Sequence, residues 1–255
     1  MNTTVRYIIL TAMRDWLFVG IIFAIIAAIF FSNFLGSTVM IEQNEMKASF
    51  LSAITRMVLI VGMIVFICFN VRRSFENKEI DLMLSRPISR VGFIFSYWLG
   101  FSIIGIIVIS AIAVYISFFI KSVNVTGFSF WLLSLIFEML VINAFAVFAS
   151  IILVSSVSSV LLCFGFYIVS RMIGFFNYIL EKSYTDLTNL DFYSQKIIWV
   201  ASYCMPRLDL FAKSEWLVHG IDFSTTAHLV PIIQALIYIP LLLTFAAIDF
   251  TRKQF

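Results

Sequence analysis

The stretch Phe93–Ile120, FIFSYWLGFSIIGIIVISAIAVYISFFI, holds no charged side chain and no proline. As an α-helix rising about 1.5 Å per residue, it is longer than the roughly 30 Å hydrocarbon core of a bilayer. Its apolar residues run continuously instead of alternating, which excludes a strand of a membrane barrel. Runs of the same kind occur at Trp16–Gly36, Met57–Val71, Phe130–Val154, Val157–Leu180 and Leu229–Ile248. The second of these is short and is extended back to about Ala53, which puts Arg56 at the membrane interface. The expectation is an all-α membrane protein of six spans, built as one domain over residues 1–255.

Composition leads to the same class. The chain is 62% hydrophobic and 12% charged, with a mean hydropathy of +1.05. A soluble domain carries about a quarter charged residues, and the charges here are too few to cover a globule. The net charge of +3 comes without a Lys/Arg run interleaved with aromatics, so no nucleic-acid partner is expected. Cys68, Cys163 and Cys204 form no Cys-x-x-Cys pattern, and His219 and His228 stand apart as loop residues, so no metal site is expected. The apolar run that begins at Trp16 is too long for the core of a cleavable signal.

Basic residues in the short connections orient the chain. Arg6 and Arg14 precede the first run, Arg72, Arg73, Lys78, Arg86 and Arg90 lie between the second and third, and Arg252 and Lys253 follow the last. The other connections are poorer, with Lys47 offset by Glu42 and Glu45 and with Lys121 alone. Six crossings and this bias agree on cytoplasmic termini. Residues 2–15 place Val5, Ile8, Ile9 and Ala12 on one face, the pattern of an amphipathic helix lying on the inner leaflet, or alternatively the frayed start of the first span. Residues 181–227 read as a long, polar, external region. Within it, Ile197–Met205 is apolar but too short to span, and reads as a re-entrant or interfacial helix ending at Pro206.

The loop between the second and third runs reads Glu76-Asn77-Lys78-Glu79-Ile80-Asp81-Leu82-Met83-Leu84-Ser85-Arg86-Pro87-Ile88-Ser89-Arg90. It reads as a short helix with one charged side and one apolar set, stopped by Pro87. Such a helix can enter a groove on a soluble partner, or it can serve only as a basic anchor that sets topology. The stretch resembles the coupling-helix region of type-2 ABC transporter permeases, which runs from a charged stretch through leucines to Ser-x-Pro-Ile-Ser-Arg. Arg14-Asp15, Tyr203–Phe211 with its Pro206-Arg207-Leu208-Asp209, and the basic tail Phe250–Phe255 are similar to other parts of that family. Glu79-Ile80 stand where the family carries Gly-Thr.

The resemblance implies a permease subunit in the bacterial inner membrane, working as an obligate dimer with a second permease copy and surrounded by lipid. Each copy would dock on a separate ABC ATPase subunit. It assigns that docking to Glu76, Glu79, Asp81, Leu82, Leu84, Ser85, Arg86, Pro87, Ile88, Ser89 and Arg90. Export is the family's usual direction. The sequence contains no Gly-x-x-x-x-Gly-Lys-Ser/Thr, so ATP and Mg²⁺ would be held by the partner, and no cofactor is expected on this chain.

Two ionisable residues fall well inside predicted spans, Glu138 in the fourth and Arg171 in the fifth. Charged groups there are costly and are either paired or functional. Helical rise puts Glu138 roughly 12 Å and Arg171 roughly 10 Å below the same edge of the core, on consecutive antiparallel helices, so the two can form an ion pair. The pair reads as a structural clamp or as a polar patch contacting substrate headgroups. Asn33, Asn143 and Asn177 are read as bonds between helices, and Ala144, Ala146, Ala149 and Ser150 as a close-packed surface. An intramembrane enzyme lacks a nucleophile and base at one depth. A secondary transporter lacks mirrored broken helices, since Pro231 and Pro240 interrupt the last run alone. A membrane scaffold or assembly factor remains as the other alternative.

Overall fold

The computed structural model describes residues 2–38, 43–77, 89–119, 124–182, 205–220 and 229–252. Helix α1 (Asn2–Met13) stops before Asp15, which opens α2 (Trp16–Ser37) as its N-cap. Asp15 is extended and its Oδ1 accepts the Leu17 N–H at 3.1 Å, satisfying one of the free amides of the first turn. This break makes α1 a helix of its own and not the frayed start of the span. Ile8 and Ala12 are buried, Val5 and Ile9 half-buried, and Arg6 and Arg14 exposed. The apolar side packs on α4 (Arg90–Phe119), where a Cβ at Gly100 would lie 2.9 Å from Ile8 Cγ2. Glycine at that position is what lets α1 approach.

Helix α3 (Gln43–Glu76) is longer than the run predicted from Ala53 or Met57. Its added turns bury Ala48, Leu51 and Ser52, and Ser32 donates to the Lys47 carbonyl at 3.2 Å, so packing against α2 extends the helix beyond the apolar stretch. Helices α5 (Val125–Ile152) and α6 (Ser156–Lys182) follow. After them come a 3-10 turn at Leu208–Leu210, the short α7 (Glu215–His219) and α8 (Val230–Arg252). The six helices α2 to α6 and α8 are long and apolar enough to cross a membrane, and no strand occurs among the described residues. The chain is an all-α, multi-pass membrane protein.

Helix α5 is the axis of the bundle. In its most apolar window 72% of residues are buried, against 28% in α2, α6 and α8, and it contacts α3, α4, α6, α7 and α8. Ala144, Ala146, Ala149 and Ser150 are all buried and face in several directions, so small side chains let neighbours close on every side. The thiols of Cys68 on α3 and Cys163 on α6 lie 4.0 Å apart, buried, in thiol–thiol hydrogen-bond contact and not joined as a disulfide. Asn33 ties α2 to α4 by donating to the Tyr115 hydroxyl at 2.7 Å. Asn143 instead bonds within its own helix, to Met139 Sδ at 2.8 Å. The side chain of Asn177 lies outside those described.

Candidate functional site

Two polar centres stand out, one at the connected ends of α3 and α4 and one inside the bundle. The first surrounds the connection between α3 and α4. Lys78–Ile88, and with them the assigned residues Glu79, Asp81, Leu82, Leu84, Ser85, Arg86, Pro87 and Ile88, lie outside the described residues. The two feet of the connection are described. Glu76 closes α3 in an i,i+4 ion pair with Arg72 at 3.1 Å. Ser89 starts α4, with its Oγ accepting the Gly92 N–H at 3.1 Å and its carbonyl accepting the Phe93 N–H at 3.0 Å.

Both feet are tied to neighbouring helices. Asp15, 8% exposed, caps α2 with one oxygen and accepts from Arg73 Nη1 at 2.8 Å and Asn70 Nδ2 at 3.0 Å with the other. Charge-assisted bonds of this kind are about twice as strong as neutral ones. On the other foot, Arg90 Nη1 donates to the carbonyls of Thr251 at 3.0 Å and Phe250 at 3.4 Å in the last turn of α8. A cation there also complements the negative end of the helix dipole. Phe250 stacks on Phe93 with ring centroids 5.5 Å apart and meets Phe75 edge-on at 6.4 Å, so the aromatic floor beneath the feet is continuous.

The second centre lies within the bundle, at mid-helix on α5 and α6. Glu138 is fully buried on α5, and Arg171 Nη1 of α6 stands 3.3 Å from its Oε1. Tyr167, one turn before Arg171, donates to the same oxygen at 3.4 Å. A second guanidinium joins them. Arg56, read from the sequence only as an interfacial residue, is 9% exposed, roughly 20 Å along α3 from Gln43, and close enough for its charge to act on Glu138. Of the two, Arg171 is ion-paired with the carboxylate, while Arg56 acts on it through space, and main-chain oxygen accepts from both guanidiniums. Arg56 Nη1 donates to the Ala212 carbonyl at 2.7 Å, and Arg171 Nη1 to the Leu208 carbonyl at 2.7 Å.

Those carbonyls correct the reading of residues 181–227 as simply polar and external. Residues 183–204 and 221–228, and with them all of the predicted Ile197–Met205 helix except Met205, lie outside the described residues, and Met205 is in a bend. Residues 205–220 are folded into the bundle, with Leu208, Phe211, Ala212 and Leu217 fully buried. The segment enters because its apolar side chains and its backbone are both satisfied there. Ala212 donates its N–H to Ser134 Oγ at 3.0 Å, and the Arg207 N–H reaches Gln234 Oε1 at 3.2 Å. Ala212 has φ 45°, the left-handed region in which a residue other than glycine is strained, and this turn aims its N–H at α5 and its carbonyl at Arg56.

Arg56, Tyr167, Ser134 and the two carbonyls were not marked by sequence reasoning as parts of the centre. The Ser134-x-x-x-Glu138 and Tyr167-x-x-x-Arg171 spacings were the available signal, because each places two polar groups on one helix face. Gly174 stands a turn beyond Arg171, and a Cβ there would overlap the Asp209 carboxylate. Gly174→Ala is thus expected to push Leu208–Ala212 outward and cost about 1–3 kcal/mol by overpacking. Gly165→Ala on the same helix meets nothing within 4 Å and should be neutral or slightly stabilising. Thermal unfolding of the two variants in detergent checks the opposite signs.

Compared with protein-family models the chain matches none, and compared with curated proteins it has no significant match.

Proposed function

We propose that this chain is the permease subunit of an ABC exporter in a bacterial inner membrane, with both termini cytoplasmic. It pairs with a second copy and is driven by a separate ATPase docked on the 72–90 connection. The observation that carries this reading is the Asp81-Leu82-Met83-Leu84-Ser85-Arg86-Pro87-Ile88-Ser89-Arg90 stretch set between two spanning helices. The layout around it supports the reading. A push on the connection passes to α2 through Arg73 and Asp15, and to α8 through Arg90.

Helix α3 is the lever. Arg73 at one end and Arg56 in the second centre lie on the same helix, roughly 25 Å apart. Movement of α3 against α5 changes how Arg56 shares Glu138 and how firmly it holds Ala212. The second centre then works as a latch inside the bundle, with the 205–212 segment as the part it holds. ATP chemistry belongs to the partner in this scheme, and the permease contributes binding and movement.

Affinity purification of the tagged chain in mild detergent, from cells that also express the ATPase of a neighbouring gene, tests this. A soluble subunit with Gly-x-x-x-x-Gly-Lys-Ser/Thr should co-elute and hydrolyse ATP. A permease that elutes folded and alone overturns the reading.

A further inference from the structure

We propose that Arg171 is a docking point for the phosphate headgroup of an anionic membrane lipid, held on the outer surface of α6. Ile168, Arg171, Phe175 and Tyr178 follow one another at helical spacing on one face, and Ile168, Phe175 and Tyr178 are each more than half exposed. Helix α6 is among the least buried spans, so this stripe is open on the surface of the single chain. The Arg171 side chain rises from that stripe and stays 25% exposed, although its tip reaches inward.

The bonding pattern gives the chemistry. A guanidinium has five N–H donors. The inward contacts, to Glu138 and to the Leu208 carbonyl, both use Nη1. That nitrogen is saturated, while Nε and Nη2 have no partner among the described residues. These two nitrogens form the edge of the guanidinium that grips two oxygens of a phosphate in parallel.

The charge balance points the same way. Among the described residues Glu138 is the carboxylate on which both Arg56 and Arg171 act, and the nearby Asp209 is already held by Arg207, Nη2 to Oδ2 at 3.0 Å and Nε to Oδ1 at 3.5 Å. One positive charge is left over among the described residues, in an apolar setting where it is costly without an anion. A lipid suits the site better than free phosphate. Arg171 lies inside the apolar part of α6, exposed Leu161 and Ile168 run on from it as a track for acyl chains, and Tyr178 stands roughly 10 Å away toward the end of the helix, as interfacial aromatics do.

This site does not depend on the permease reading, because it is measured on the chain without any ATPase. The purified protein is titrated with phosphatidylglycerol, phosphatidylcholine or inorganic phosphate, and binding is followed by native mass spectrometry and thermal unfolding. Phosphatidylglycerol is expected to bind about tenfold more tightly than phosphatidylcholine, and inorganic phosphate should leave the unfolding temperature unchanged. Arg171→Lys keeps the charge but loses the two-oxygen grip, and should remove most of that preference. Glu138→Gln leaves a second charge unbalanced and should increase it. The Glu138→Gln/Arg171→Gln double variant keeps an uncharged hydrogen-bonding pair and should show no preference. Equal binding of the two lipids by the native protein, a preference retained by the double variant, or equal stabilisation by inorganic phosphate would each overturn the proposal.

Discussion

Glu138→Gln is expected to be strongly destabilising, because it removes the carboxylate that Arg171 and Tyr167 contact and that the charge of Arg56 acts on. Removing one partner of a buried ion pair costs about 3–5 kcal/mol in water-soluble proteins, since the other charge is left uncompensated. Carbonyls of Leu208 and Ala212 still hold both guanidiniums, which lowers the expected loss to about 2–4 kcal/mol. Adding Arg171→Met should recover only part of it, because Arg56 remains beside the new glutamine. Thermal unfolding of the four proteins in zwitterionic detergent gives the double-mutant cycle. Single effects that simply add would mean that Glu138 and Arg171 do not interact.

Leu82→Asp combined with Leu84→Asp is expected to abolish ATPase association and ATP hydrolysis in the complex. Apolar anchors at the centre of an interface carry most of its energy, while rim charges mainly affect rates and salt dependence. The variant permease should still insert and unfold at the native temperature, because the affected connection lies between the helices that form the bundle. Arg90 has a different role from the leucines. Its bonds to the carbonyl end of α8 mean that Arg90→Ala should also loosen the contact between α4 and α8, lowering stability by about 1–2 kcal/mol even without a partner. A complex that assembles and cycles normally with aspartate at both positions 82 and 84 would remove the coupling mechanism. Topology mapping of the same variant separates this from a basic-anchor role, in which the leucines would matter little.

The spanning helices were legible in the sequence because crossing a bilayer is a one-dimensional requirement. A run that hides every backbone amide and is long enough must be a helix, whatever its neighbours are. Its ends were less legible. The extra turns of α3 before Ala53 are held by contact with α2, and a polar start such as Gln43-Asn44-Glu45 gives no apolar signal of that contact. The face of α1 was readable from its spacing, whereas its seat on Gly100 depends on how α4 passes beneath it.

The polar centre divides along the same line. Charge rarity and helical rise were enough to set Glu138 and Arg171 at one depth on neighbouring helices. That Arg56 packs beside them was not legible, because which side of α3 turns toward α5 is decided by tertiary contact. The carbonyls of Leu208 and Ala212 have no sequence signature at all, since every residue carries one and only the fold determines which of them are turned toward a buried cation. The sequence by itself therefore determined the class of molecule, the spans and the cost of its two buried charges. Only the tertiary structure decided that a third charge joins them and that main-chain oxygen from a segment outside the spans accepts from both guanidiniums, because a balance of charge and hydrogen bonds in an apolar interior is settled among groups far apart in the chain.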